Sequence, residues 1–251
     1  MTYIFCLMGK SAAGKDTIYR KLREMLKAPD SPDADIGTGE TAARTSHLTA
    51  ADVGEVVPYT TRPIRTGEEN GVEYRFETGE QYEEAASAGR IIEARAYDTV
   101  HGIWRYYTKD DGQIDLDRRS YLVIGTLEAY LSYCKYFGAE RVVPFYIEVE
   151  ERERLRRALR REDQQANPHY TELCRRFLSD EEDFSEEKLA AAGITRRYRN
   201  TDSGDCAAEI LREMERMLTG QGEDAPKAPS GDAPSGVASQ LPSGADASQR
   251  S

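Results

Sequence analysis

Two hydrophobic patterns follow one another at the start of the chain. Residues 3–8 form an almost unbroken apolar run, which is typical of a strand buried in a parallel sheet. In residues 15–26, the apolar side chains Ile18, Leu22 and Leu26 recur at the spacing of one helical face. We therefore predict that the chain begins with a buried strand, a glycine-rich turn and an amphipathic helix.

The same succession of strand and helix patterns continues in the second half of the chain. We predict strands over residues 121–124, 142–149 and 197–200, and helices over residues 127–137, 151–162, 170–183 and 207–218. Repeated βα units imply a parallel sheet with helices on both faces. The predicted fold class is therefore α/β, with a parallel sheet at its centre.

The middle of the chain has a different pattern. Residues 72–76 alternate between apolar and polar, as in a half-buried strand, and residues 80–88 have a helical pattern that ends at Gly89. Residues 90–96 and 102–108 read as a pair of strands. We predict that this region is a small β-rich excursion from the main sheet.

Two stretches have neither pattern. Residues 28–52 contain several Pro and Gly breakers between well-patterned segments, which predicts a loop inserted within a domain. Residues 220–251 consist mainly of Gly, Pro, Ala, Ser and Asp, and such a segment buries too little apolar surface to offset the entropy of ordering. We predict a folded unit over residues 1–219 and a disordered tail over 220–251.

Composition and charge narrow the class of protein. The 251 residues carry 34 Lys and Arg against 45 Asp and Glu, a net charge of −11, which disfavours a broad nucleic-acid-binding face. No apolar run approaches the roughly 18 residues that cross a bilayer, and the N-terminus lacks the features of a signal peptide. The four cysteines are scattered, as in a reducing compartment. We expect a cytoplasmic monomer or homodimer that binds neither nucleic acid nor membrane.

A phosphate-binding motif lies between the first strand and the first helix. Its Gly-x-x-x-x-Gly-Lys spacing lets backbone N–H groups surround a phosphate at the positive end of the following helix. The motif comprises Gly9, Lys10, Ser11, Ala12, Ala13, Gly14, Lys15, Asp16 and Thr17. Lys15 would reach the β- and γ-phosphates. The bland alternative is a glycine-rich turn that binds no ligand.

The residue after Lys15 departs from this motif. Asp16 stands where a Ser or Thr hydroxyl usually helps to hold magnesium. Thr17, one position later, is the candidate metal ligand, and water is the alternative.

A second block of candidate chemistry spans residues 58–74. Arg62 and Arg65 are close enough in sequence to present two guanidinium groups to one anion, and the guanidinium fork matches phosphate geometry. Tyr74 would add a hydroxyl donor. The alternative is a polar loop with two solvated arginines.

These two motifs together resemble the guanylate kinase family. The resemblance rests on residues 9–17 and on the run Thr60-Thr61-Arg62-Pro63-x-Arg65-x-Gly67-Glu68-x-x-Gly71-x-x-Tyr74-x-Phe76. It implies that Arg62, Arg65 and Tyr74, within the same motif as Glu68, contact the phosphate of GMP, and that Glu93 helps to bind guanine. It also implies a P-loop NTPase-type fold that uses ATP and Mg²⁺, with an acceptor-binding region at 58–108.

The family also has an arginine-bearing lid, which the region 151–184 resembles. By this resemblance we expect Arg160, Arg161 and Arg176 to stabilise the transferring phosphoryl group, as positioned arginines do. The alternative is that these arginines pair with nearby glutamates along their helices. Asn200 resembles the family's asparagine near the adenine of ATP.

Three features depart from the family pattern at the end that binds the base. Pro58 replaces a serine, and His101-Gly102-Ile103 replaces Tyr-Gly-Ser/Thr. Residues 122–126 lack the paired aspartates of an Asp-x-Asp strand end, for which Glu128 or the turn at Asp110 and Asp111 are candidate substitutes. The groups that handle phosphate are therefore more complete than those that read guanine.

The resemblance implies an ATP-dependent kinase that converts GMP or dGMP to the diphosphate. Two alternatives remain open from the residues alone. One is a P-loop kinase for another nucleotide or small acceptor, because the base-reading positions have diverged. The other is a catalytically inactive nucleotide-binding or protein-interaction module.

Overall fold

The computed structural model describes residues 1–27, 47–65, 67–99 and 102–220, which form two β-sheets and surrounding helices. The strands are β1 (Ile4–Met8), β2 (Val53–Glu55), β3 (Tyr59–Thr60), β4 (Arg75–Phe76), β5 (Ile91–Thr99), β6 (Gly102–Lys109), β7 (Ser120–Ile124), β8 (Val142–Glu148) and β9 (Tyr198–Arg199). The α-helices are α1 (Lys15–Lys27), α2 (Gly79–Ser87), α3 (Leu127–Phe137), α4 (Glu151–Asp163), α5 (Tyr170–Asp183), α6 (Glu186–Ala191) and α7 (Ser203–Leu218).

The larger sheet has the strand order β2-β7-β1-β8-β9, and all its described pairings are parallel. β1 lies at its centre between β7 and β8, and all five of its residues are buried. A strand covered on both faces reads as a continuous apolar run, which explains the pattern of residues 3–8. The predicted α/β class with a parallel sheet is confirmed.

Helices cover both faces of this sheet. Successive strand residues point to opposite sides, so the apolar run of β1 places apolar side chains on both faces. Phe5 and Leu7 of β1 belong to one core cluster, which includes Ile18 of α1 and Ile210 of α7. Ile4, Cys6 and Met8 face the other way, into a cluster that includes residues of α3. The two cores hold β1 rigidly, so the loop that follows it has a fixed starting point.

The smaller sheet has the order β4-β3-β6-β5. β6 pairs antiparallel with β3 and β5, as expected for residues 90–96 and 102–108. The strand predicted over residues 72–76 is shorter than expected, because Gly71 has φ +92° and Val72 N–H donates to the Glu69 carbonyl in a turn. β4 therefore comprises Arg75 and Phe76 alone.

Some elements have no periodic signal in the sequence. β3 has two residues and β2 three, and α6 has six, too few to display a period. α7 begins at Ser203 rather than at residue 207, because the Asp202 carboxylate caps it by accepting bonds from the N–H groups of Gly204 and Asp205.

The two stretches without a hydrophobic pattern fall largely outside the described residues. Of the predicted inserted loop only residues 47–52 are described, and of the predicted tail only Gly220. No helix in the described ranges is both long and apolar enough to span a bilayer. All four cysteines are free.

Candidate functional site

The loop between β1 and α1 is shaped by its glycines. Gly14 has φ +88°, and a Cβ atom there would overlap Nδ2 of Asn200. A Cβ atom on Gly9 would lie 2.6 Å from the Ile147 carbonyl oxygen. Both positions therefore accept glycine alone, which is the requirement that the sequence motif encodes.

Asn200 ties this loop to the far end of the sheet. Its side-chain amide donates to the Ala13 carbonyl oxygen at 2.8 Å, and its backbone N–H donates to the Glu148 carbonyl at 2.9 Å. The residue is 4% exposed. The structure thus brings Asn200 against the phosphate loop, where it supports the loop's backbone.

A cleft of about 440 Å³ opens beside the loop and the first turn of α1. It is lined by Ala12, Gly14, Asp16, Thr17, Arg157, Arg161, Asn200, Thr201, Asp202 and Ser203. Lys15 is the first residue of α1, and its Nζ lies 3.6 Å from the Asp16 carboxylate. The N-terminal end of α1 and the nearby cations make this cleft suited to an anion.

Two carboxylates of α5 lie on the phosphate loop. The backbone N–H of Ser11 donates to Oδ2 of Asp180 at 2.8 Å, and Lys10 forms an ion pair with Glu181. A loop amide that would face a phosphate oxygen is therefore satisfied by a protein carboxylate. No local sequence pattern predicts this contact, since residues 11 and 180 are far apart in the chain.

Arg154 of α4 binds both of these carboxylates. Its side chain is 2% exposed, it forms ion pairs with Asp180 at 3.5 Å and with Glu181, and its guanidinium lies 3.6 Å from the centre of the Phe177 ring. Sequence analysis missed this residue. The available signal was spacing, because Arg154, Arg157 and Arg161 follow one helical stripe.

The lid arginines predicted from sequence occupy different environments. Arg161 lines the cleft beside the phosphate loop. Arg160 is exposed on α4 and is not part of that lining. Arg176 lies 3.8 Å from Glu162 and 3.7 Å from Glu172, within the pair of lid helices. The structure therefore brings one of the three to the loop.

Arg62 is the most constrained residue of the predicted acceptor site. It is buried, and it donates two parallel hydrogen bonds to Glu68 at 2.7 and 2.5 Å. These bonds, with the one from the Arg65 N–H, lower the pKa of Glu68 to about 2. The guanidinium also lies 5.2 Å from the centre of the Tyr74 ring.

Tyr74 contacts Arg62 of this pair, and Arg65 contacts Glu68. Burial raises the pKa of Tyr74, whose ring meets that of Tyr106 edge to face at 5.5 Å. Arg65 is exposed, and its backbone N–H donates to Glu68 at 2.9 Å. The structure therefore brings Arg62, Glu68 and Tyr74 together and leaves the Arg65 side chain exposed beside them.

Glu93 lies on β5, buried at the base of the small sheet. It accepts a hydrogen bond from Thr108 Oγ1 at 3.0 Å, and Thr108 also bonds the Tyr133 hydroxyl at 2.9 Å. Burial raises the pKa of Glu93, partly countered by Arg95, whose Nε lies 3.4 Å from Oε2. Arg95 was not anticipated, although its i+2 spacing on a strand was the available signal.

The carboxylates considered as substitutes for the missing aspartates have separate environments. Asp111 bonds the Tyr59 hydroxyl, and Asp110 accepts from the Tyr136 hydroxyl at 2.8 Å. Glu128 is near enough to Glu93 for its charge to raise the pKa of that residue. At the end of β7, Gly125 has little space, since a Cβ atom would lie 3.1 Å from Cys6 Sγ. His101 lies outside the described residues.

The oxygen groups beside the phosphate loop suit magnesium. Asp16 and Thr17 lie at the start of α1 and line the cleft. Mg²⁺ prefers oxygen ligands, usually keeps several waters and binds through one or two protein groups plus substrate phosphates. Among the described residues no group of three His, Cys, Asp or Glu side chains is placed to hold a metal.

The fold and the loop place the protein in the class of P-loop NTPase-type α/β proteins. A guanylate kinase from Anaplasma phagocytophilum has a similar structure, with a TM-score of 0.54 and 19% identity, over 88% of this chain and 86% of that chain. The model of the guanylate kinase family matches residues 40–103, which include the Arg62–Tyr74 motif and Glu93. No curated protein sequence matches the chain significantly.

The family match over residues 40–103 and the shared fold show that the chain is similar to guanylate kinases. At 19% identity the structural likeness bears on the fold, so the acceptor and the residue roles have to be argued from the site itself.

Proposed function

We propose that the protein transfers the γ-phosphoryl group of ATP to GMP or dGMP. The observation that carries this proposal is the phosphate loop, in which Gly9 and Gly14 have no room for a side chain and Lys15 begins α1. The family match over residues 40–103 supports GMP as the acceptor, because it covers the anion site formed around Arg62.

The donor phosphates bind at the loop in this proposal. Backbone N–H groups of the loop, including that of Ser11 once Asp180 is displaced, and the positive end of α1 surround them, and Lys15 reaches the β- and γ-phosphates. Thr17, with Asp16 beside it, would hold Mg²⁺, which neutralises charge on the phosphates when bound. Asn200 supports the conformation of the loop through its hydrogen bond to the Ala13 carbonyl oxygen.

The acceptor phosphate binds to Arg62, Arg65 and Tyr74. Glu68 holds the Arg62 guanidinium in a fixed orientation through two hydrogen bonds, so little order has to be gained on binding. The acceptor phosphate is itself an anionic nucleophile and needs no general base. Positioning and electrostatic stabilisation therefore account for the rate.

The lid formed by α4 and α5 supplies positive charge to the transferring group. We assign this role to Arg161 and to Arg157, which lies one turn before it on the same stripe; both line the cleft. Arg160 is exposed outside the cleft lining, and Arg176 pairs with Glu162 and Glu172. These two side chains would reach the transferring group only if the lid changes its packing. Closing the lid would exclude water and so limit hydrolysis of ATP.

A kinase for a different acceptor is the second candidate function. The absence of carboxylates at the end of β7, where Gly125 packs tightly against Cys6, favours it. The phosphate end of the site is the same in both candidates, and only the base distinguishes them.

The test is ADP formation from Mg²⁺-ATP by the full chain with GMP, dGMP, AMP, CMP and UMP. We expect GMP or dGMP to be preferred at least tenfold, and EDTA to abolish turnover. Preference for another monophosphate would replace the acceptor in the proposal. ATP binding without any acceptor-dependent ADP would instead indicate an inactive nucleotide-binding module.

A further inference from the structure

One face of the small sheet combines a buried carboxylate with a partly exposed guanidinium. Glu93 and Arg95 alternate along β5, so both point to the same side. Their cross-strand neighbours are Thr108 and Tyr106, and the Tyr106 ring contacts Tyr74 of the acceptor site. This face is therefore continuous with the Arg62 anion site.

The Glu93 carboxylate is covered on both sides. One oxygen accepts the bond from Thr108, and the whole side chain is 4% exposed. The other oxygen, Oε2, is shielded from solvent, has no hydrogen bond among the described residues and faces Arg95 Nε at 3.4 Å. A ligand arriving at this face therefore meets Arg95 before it meets Glu93.

Arg95 retains hydrogen-bonding capacity. Its side chain is 25% exposed while Nε is shielded, and its described polar partner is Glu93. No hydrogen bond within the described ranges uses its two terminal amino groups. A guanidinium whose Nε faces a carboxylate and whose two terminal amino groups remain available is a preformed pair of hydrogen-bond donors.

We propose that Arg95 determines the specificity for the acceptor base and that Glu93 is the residue that positions it. Arginine pairs in bidentate fashion with the O6 and N7 atoms of guanine, and adenine presents an amino group in place of O6. The class of acceptor is then a 6-oxopurine mononucleotide. This inference rests on the proposed function, and it differs from direct binding of guanine by Glu93.

The two arrangements differ in how they treat the 2-amino group of guanine. A carboxylate that binds guanine directly accepts hydrogen bonds from N1 and the 2-amino group, so it favours GMP over IMP. A guanidinium on the O6 and N7 edge does not contact that amino group. We therefore expect GMP and IMP to bind within about threefold of each other, and AMP at least tenfold more weakly.

The experiment measures equilibrium binding of GMP, IMP and AMP to the full chain by calorimetry. Arg95→Ala is expected to weaken GMP and IMP binding by about 10- to 100-fold and to leave AMP unchanged. Arg95→Lys, which keeps the charge without the fork, should recover less than half of that loss on a logarithmic scale.

Arg105→Ala is the matched control. Arg105 lies opposite Ala96 on β6, so it points to the other face, where it pairs with Glu83 at 3.0 Å. We expect it to leave GMP, IMP and AMP binding unchanged. Thermal melting of each variant shows whether the fold is retained.

Glu93→Gln separates positioning from direct contact. If Glu93 acts through Arg95, this variant weakens GMP and IMP by the same factor, and combining it with Arg95→Ala adds little. Wild-type preference for GMP over IMP by more than 30-fold, lost in Glu93→Gln and retained in Arg95→Ala, would overturn the inference. So would the failure of all three nucleotides to bind. Binding as expected without ADP formation would contradict the proposed function and leave this inference standing.

Discussion

In the proposed function the phosphate loop and the small sheet bind the same chemical group by different means. The loop offers backbone N–H groups, and the anion now on one of them, Asp180, comes from a separate helix. The segment that follows β3 of the small sheet offers the Arg62 guanidinium, whose counter-ion Glu68 lies six residues away.

Because of this difference, a phosphate has to compete with a protein carboxylate at the loop, whereas at Arg62 it finds a side chain that is already oriented. A phosphate at the loop has to displace Asp180 from the Ser11 N–H, so part of its binding free energy is offset. A phosphate at the small sheet finds Arg62 already oriented by Glu68. We expect substitutions at the loop to affect ATP and substitutions at Arg62 to affect GMP.

The largest effect is expected from Lys15→Met. Removing the charge at the start of α1 should lower turnover by about 1,000-fold, because Lys10, the other lysine of the loop, is paired with Glu181, while GMP binding stays unchanged. Steady-state kinetics and calorimetry measure the two effects. Lys27→Met, at the other end of α1 and 3.3 Å from Glu55, is the control. Equal loss of GMP binding would show that the two ends are not separate.

Arg62→Ala should weaken binding of the acceptor GMP and leave binding of ATP unaffected. We expect GMP binding to weaken by about 100-fold, because the acceptor phosphate loses an oriented guanidinium, and the melting temperature to fall, since Glu68 loses its partner. ATP binding should not change. Arg75→Ala, on the neighbouring strand and 45% exposed, serves as the control. Weaker ATP binding in Arg62→Ala would contradict the comparison.

Asp180→Asn should strengthen ATP binding at the phosphate loop and leave GMP binding unaffected. A neutral amide competes less well than a carboxylate for the Ser11 N–H and for Arg154, so ATP affinity should rise by about 3- to 10-fold. GMP affinity should be the same as in the wild type. Asp183→Asn, near the end of the same helix, tests whether any loss of charge there has this effect.

The smallest effect concerns pH. The pKa of Glu68 is lowered to about 2, so its pairing with Arg62 stabilises the folded state above the ordinary carboxyl pKa and is lost as the pH falls toward 2. The difference in melting temperature between wild type and Glu68→Gln should be constant from pH 8 to about 5 and shrink below it. A difference that grows on acidification would show that the pairing is not charged.

The same contrast explains how far the sequence predicts the site. The phosphate loop is recognisable because its function requires glycine at fixed positions, as the close approach of Ile147 to Gly9 shows. The central strand is recognisable because burial on both faces leaves an apolar run. Both signals are local in the chain.

The groups that sequence analysis missed depend on contacts between distant segments. Arg154 and Asp180 meet only when α4 and α5 pack together, and each alone resembles a charged residue on a helix surface. Arg95 acquires its environment from the pairing of β5 with β6. β3 has two residues, and no periodicity can reveal it.

The hydrogen bond from Asn200 to the Ala13 carbonyl spans 187 positions of the chain. During synthesis on the ribosome, residue 13 emerges roughly 10 to 40 seconds before residue 200, at about 5–20 residues per second. The loop therefore lacks its support while most of the polypeptide is being translated. In the proposed function, ATP binding to the fully supported loop therefore requires that residue 200 has already been synthesised.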